Sequence, residues 1–138
     1  RLAGNTSSHM YEHELSASSD ILKRSLEYSK KVLARSFGND ADAFDEQQVK
    51  SFLAEQKKVM IHTGSLKILD GFKNLYNLDY NQVQESYETL KEYGNLTGVS
   101  IPTVLSKALT QKNSMSGKSL LVGITMGFGL DIVEVEKV

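Results

Sequence analysis

The segment Ser119 to Met126 is nearly all apolar. A run of that length between polar flanks and a glycine turn reads as a strand buried on both faces, at the centre of a sheet. Gly127-Phe128-Gly129 follows it, a turn that permits a hairpin, and Leu130 to Lys137 is the returning strand. A further strand is expected far upstream at Lys57 to Ile61, which is too short for a helix and richer in Val, Met and Ile than its neighbours. Helical patterns separate the two regions, so the fold class is α/β.

Those helical patterns have definable ends. One helix is expected from about Ser19 to Phe37, with Leu22, Leu26, Leu33 and Phe37 on one face, Ile21 and Val32 beside them, and Gly38 as its stop. A shorter one carries Val49, Phe52 and Leu53. Gly64-Ser65 opens a third, with Leu66, Leu69, Phe72 and Tyr76 on one face, closed by Asn77-Leu78-Asp79. A fourth starts at Asn81, taken as its N-cap, runs through Val83, Tyr87 and Leu90, and ends at Gly94, whose missing side chain suits a left-handed cap. Ser100 and Pro102 mark a fifth, in which Ile101, Val104, Leu105, Ala108 and Leu109 cover more than half of the circumference. Such a helix demands burial on several sides.

With 138 residues, residues 1–138 are expected to form one folding unit. Apolar residues make up 40% and the formal net charge is -1, enough for a core and too little field to gather nucleic acid. No apolar run approaches the roughly 20 residues that span a bilayer, and Arg1-Leu2-Ala3-Gly4 is not a secretory signal, so a cytoplasmic protein without a membrane span is expected. The stretch Arg1 to Leu15 reads as an extended segment, or as partly vector-derived through Ser7-Ser8-His9-Met10. Cysteine is absent, which excludes disulfides, thiolate metal sites and a cysteine nucleophile within this chain.

Against that absence, two short motifs stand out: Val59-Met60-Ile61-His62-Thr63-Gly64-Ser65 and Tyr93-Gly94-Asn95-Leu96-Thr97-Gly98. A histidine at a strand end and an asparagine after a glycine look like two thirds of a Cys-His-Asn site. Each also has a plainer reading. His62 is equally a solvent-facing or capping residue, and Asn95 a turn former that bonds its own backbone. Gly127 and Gly129 serve a hairpin in any case, and Lys67 is a lysine on a helix surface.

Other motifs fail. Ser116-Gly117-Lys118-Ser119 resembles the end of a phosphate-binding loop, but Lys112 stands where the leading glycine belongs and the segment precedes a strand. Asn39-Asp40-Ala41-Asp42-Ala43 lacks the glycine and the terminal glutamate of a calcium loop. His9 and His13 have no third ligand, and no metal is expected.

The ordered set resembles a known family. Strand-His-turn-helix, helix-Gly-Asn, a helix opening with Ser-Ile-Pro, then strand, glycine turn and last strand are similar to the C-terminal half of thiolase-fold condensing enzymes. The relatives it resembles are beta-ketoacyl-acyl-carrier-protein synthase III and chalcone-synthase-like type III polyketide synthases. Tyr93-Gly94-Asn95-Leu96-Thr97-Gly98-Val99-Ser100-Ile101-Pro102 is similar to the Gly-Asn-Thr/Met-Ser-x-x-Ser-Ile-Pro pattern of synthase III, and Gly123-Ile124-Thr125-Met126-Gly127 stands where that family has Gly-Phe-Gly-x-Gly. The interval from His62 to Asn95 is nearer to the chalcone synthase group, since that of synthase III is shorter by roughly a turn of helix. His62-Thr63-Gly64-Ser65 departs from His-Gln-Ala-Asn, and Thr125 replaces a glycine.

The resemblance implies a thiolase-like half-domain, with a mixed sheet, helices on both faces and a C-terminal antiparallel strand pair. It implies acyl-CoA or acyl-carrier-protein thioesters as substrates, with no covalently bound cofactor, and decarboxylative Claisen condensation as the reaction. His62 and Asn95 would be the catalytic donors to an enolate, Gly127 a backbone donor to the tetrahedral oxygen, and Lys67 a contact for the carrier or its phosphopantetheine. In this family the nucleophilic cysteine belongs to the N-terminal half. The expected partner is therefore that half, as a separate chain or a lost fragment, in a homo- or hetero-oligomer. The alternative is a non-catalytic thiolase-fold subunit that stabilises or regulates a catalytic partner.

Overall fold

The computed structural model describes residues 23–24, 27–35, 46–111, 116–125 and 129–137. In chain order they form helix α1 over residues 27–35, α2 (Glu46–Glu55), β1 (Val59–Ile61), α3 (Leu66–Leu75), α4 (Tyr80–Tyr93), a 3₁₀ turn (Thr97–Val99), α5 (Ser100–Thr110), β2 (Gly117–Thr125) and β3 (Gly129–Lys137). The α/β class holds. The sheet order is β1-β2-β3, so the apolar β2 is central as its composition requires. β1 runs parallel to it, with Val59, Met60 and Ile61 opposite Leu120, Leu121 and Val122. β3 returns antiparallel, from Thr125 opposite Gly129 to Gly117 opposite Lys137. A small mixed sheet with a C-terminal antiparallel pair is thus present. The expected Arg1–Leu15 segment, the acidic loop at 39–43 and Gly127 lie outside the described residues.

Alternation along the strands divides the core. Val59, Ile61, Leu120, Val122 and Leu130 face one way and pack with Leu33, Val49, Leu53, Leu69, Phe72, Tyr76 and Val83 from α1 to α4. Met60 and Leu121 face the other way, toward Val104, Leu105 and Ala108 of α5. Helices therefore cover both faces. Burying each such large side chain contributes roughly 1.5–3 kcal/mol, which is why the three-residue β1, with all of its residues buried, holds its place.

Local ends differ from expectation in instructive ways. Asp79, not Asn81, caps α4, through a capping box in which Gln82 Oε1 accepts from the Asp79 N–H at 3.0 Å. Asn81 sits inside the helix, and its carbonyl accepts from Lys58 Nζ at 2.6 Å. Ser65 does cap α3, its hydroxyl accepting from the Ile68 N–H at 3.3 Å. Leu66 is exposed although it shares the helical phase of Leu69 and Phe72, because the core reaches α3 only from Ile68 and Leu69 onward. Gly94 ends α4 at φ +72°, a conformation that glycine adopts at no steric cost.

β1 lies at the edge of this sheet, and α4 covers its open side. On the inner side the His62 N–H donates to the Val122 carbonyl at 2.9 Å and the Leu120 N–H to the Lys58 carbonyl at 2.9 Å. On the outer side the Ile61 N–H donates to Ser86 Oγ on α4 at 2.9 Å, in place of a neighbouring strand. Beside it Lys58 Nζ lies 2.7 Å from Glu85 Oε1, with the Glu85 side chain 1% exposed. This contact is an ion pair without an aligned hydrogen bond, and one of the three ammonium N–H groups donates to the Asn81 carbonyl. Two side chains of α4, Glu85 and Ser86, thus pin the helix along β1.

Candidate functional site

The pinned helix brings the two motifs to one end of the molecule. His62 follows the last residue of β1 and is half-buried, with its backbone fixed by Val122. Thr63 comes next, is fully buried, and its hydroxyl lies within hydrogen-bond distance of Ser100 Oγ at 3.0 Å and of the Gly94 carbonyl at 3.4 Å, its single proton serving one of them at a time. Gly94 immediately precedes Asn95 and Ser100 opens α5. One hydroxyl therefore joins the His62 turn, the Asn95 turn and the start of the fifth helix.

The His62 ring has a defined environment. Burial holds its pKa below the ordinary 6.5, so the imidazole is neutral at pH 7 and keeps one N–H donor. It packs over Gly64, where an added Cβ would lie 3.2 Å from His62 Cδ2 and 2.9 Å from Ile68 Cδ1. Gly64 allows this approach, since a Cβ there would press on the His62 ring and on the tip of Ile68, which can swing aside. Replacing Gly64 with Ala is expected to displace the ring and to cost about 1–3 kcal/mol through overcrowding. A His62 ring NMR signal and a denaturation midpoint that both stay at the parent values would contradict this packing.

Asn95 is exposed, and its Oδ1 accepts from the Thr97 N–H at 2.9 Å. The turn-forming reading of Asn95 therefore holds. It does not exclude the other, because the carbonyl end is engaged while a donor role needs the amide nitrogen. Thr97 itself sits at φ +51°, inside the tight turn that this bond closes. Lys67 is exposed in the first turn of α3, directly after the His62–Ser65 turn.

Sequence reasoning missed Thr63 and Ser100 as elements of this region. Their only signal was adjacency: Thr63 to His62, and Ser100 to the Asn95 turn. A separate open groove lies between the end of α4, the 3₁₀ turn and α5, lined by Tyr93, Val99, Pro102, Glu92 and Lys107 among others. Lys107 Nζ donates to Glu92 Oε2 at 2.7 Å across it. His62 and Asn95 do not line this groove. Val99 and Leu109 stay exposed, so α5 buries Val104 and Ala108 but keeps apolar surface uncovered. Among the described residues no three His, Asp or Glu side chains converge to hold a metal ion, and no helix is long and apolar enough to cross a membrane.

No protein-family model matches this sequence.

Proposed function

We infer that this chain is the C-terminal half of a thiolase-fold condensing enzyme, similar to beta-ketoacyl synthase III and the chalcone-synthase-like enzymes, and that it supplies the enolate-handling part of the site. The observation that carries this reading is the Thr63 hydroxyl, which couples the strand-end His62 to the Gly94-Asn95 turn. Two donors held at one end of a sheet suit an oxygen on which charge develops.

The chemistry follows from that use. A malonyl thioester loses carbon dioxide: the bond to the carboxylate carbon breaks and its electron pair moves into the thioester carbonyl, giving an enolate. The neutral His62 N–H and the Asn95 amide nitrogen donate to the enolate oxygen. The Asn95–Thr97 bond fixes the amide plane in advance, so less reorganisation accompanies the reaction. The carbanion then attacks an acyl group carried on the cysteine of the N-terminal half, a carbon-carbon bond forms, and the thiolate leaves. Gly127 is the backbone donor assigned to that tetrahedral oxygen, and Lys67 the contact for the carrier or its phosphopantetheine. The substrates are acyl-CoA or acyl-carrier-protein thioesters, and the partner is the half that bears the cysteine.

The rival reading, a non-catalytic subunit that stabilises or regulates a catalytic partner, draws on the exposed position of Asn95 and its service to the turn. Labelled malonyl-CoA separates the two. The native assembly is expected to release labelled carbon dioxide; an assembly that contains the cysteine-bearing half and shows no release above background contradicts the enzymatic reading.

A further inference from the structure

We propose that Thr63 is a positioning residue, whose hydroxyl sets where His62 stands relative to Asn95 by tying the turn after β1 to Gly94 and to the first residue of α5. This assignment rests on the reading of His62 and Asn95 as partners in one site.

His62 is anchored on the sheet side by its N–H to the Val122 carbonyl, but among the described residues no backbone hydrogen bond from β1 reaches the Asn95 turn. Thr63 does so from the adjacent position, with both its own hydroxyl and that of Ser100 fully buried. Buried hydroxyls without partners are costly, so the Thr63–Ser100 bond at 3.0 Å restricts the turns to the arrangement in which it forms. Threonine adds stiffness, because its branched Cβ leaves few χ1 rotamers. The bond to the Gly94 carbonyl, longer at 3.4 Å, lies one residue from Asn95 and just beyond the last turn of α4. The ring of His62 also lies close over Gly64, where an added Cβ would stand 3.2 Å from its Cδ2. The sheet, the Gly64 turn and the Thr63 hydroxyl together define the placement of His62.

Thr63→Val keeps the shape and removes the hydroxyl, while Thr63→Ser keeps the hydroxyl and loses a methyl. In NMR spectra of the full chain, Thr63→Val is expected to shift the backbone amide signals of Asn95 to Thr97 and to move the His62 titration midpoint, with Thr63→Ser close to the parent in both. In the carbon dioxide assay on the native assembly, Thr63→Val should lower kcat on the order of tenfold at unchanged KM, with recovery in Thr63→Ser. A purely structural role would lower the denaturation midpoint of Thr63→Val and leave the His62 midpoint in place. Should Thr63→Val not fold, Ser100→Ala removes the same bond from its other end and is read in the same way. Unchanged His62 and Asn95 signals in the folded variant, or a serine variant that behaves like the valine one, overturn the proposal. The NMR arm stands apart from catalysis, so loss of the enzymatic reading through an inactive assembly is distinguishable from loss of this one.

Discussion

His62→Ala is expected to lower carbon dioxide release from a malonyl thioester by on the order of 10²–10³ in kcat while the assembly stays intact. That is the range found when one preorganised donor to a developing oxyanion is removed. The prediction is specific to His62 because its ring is neutral at pH 7: burial depresses its pKa, and a neutral imidazole donates one hydrogen bond without a charge that needs solvation. A half-buried ring next to the packed Gly64 turn can be removed without disturbing the core at Leu69 and Phe72, which are fully buried elsewhere on α3. Release rates and the elution volume of the assembly are measured together. Retained release with an intact assembly removes His62 from the mechanism.

The second large effect concerns stability. Lys58→Met is expected to cost about 3–5 kcal/mol, because it leaves the Glu85 carboxylate buried with no cation beside it. Glu85 is 1% exposed, and Lys58 Nζ lies 2.7 Å away. Removing both charges is a different matter. Lys58→Met with Glu85→Leu should regain most of the loss, since a buried ion pair replaced by apolar groups of similar size is often neutral or better. Urea denaturation with an unchanged slope provides the reading. A loss below about 1 kcal/mol in the single variant, the range of an exposed pair, would show that the charges are solvated. The pair matters to the site as well as to stability, because it sits one residue from the Ser86–Ile61 bond that holds α4 along β1 and so carries Gly94 to Thr63.

The layers of this fold were legible where burial is periodic. The nearly all-apolar run from Ser119 announced a central strand, and the glycine-bearing turn after it announced a returning one. Periodicity gives the phase of a helix face but not how far the opposing layer reaches, which is why Leu66 was assigned to the core and is exposed. Asn81 reads as the N-cap of α4 and Asp79 as the close of α3, yet Asp79 caps α4; Gln82, three residues after it, held the deciding signal as the far side of a capping box. The Lys58–Glu85 pair left no trace in the sequence, because two charged residues on separate elements read as surface until the fold brings them together. The site followed the same division. His62 and Asn95 were visible as residue types at element ends, whereas the Thr63 and Ser100 hydroxyls that join those ends depend on how α4 lies along β1.

In the proposed reading the activity is shared with a half that bears a cysteine, the residue type this chain lacks. Native mass spectrometry of the protein isolated from its source, followed by thiol alkylation and peptide mapping, tests it most directly. The expected result is a species larger than this 138-residue chain, containing a cysteine whose alkylation is slowed by prior acylation from an acyl thioester. A lone monomer of this chain, with no cysteine-bearing polypeptide attached, would contradict it.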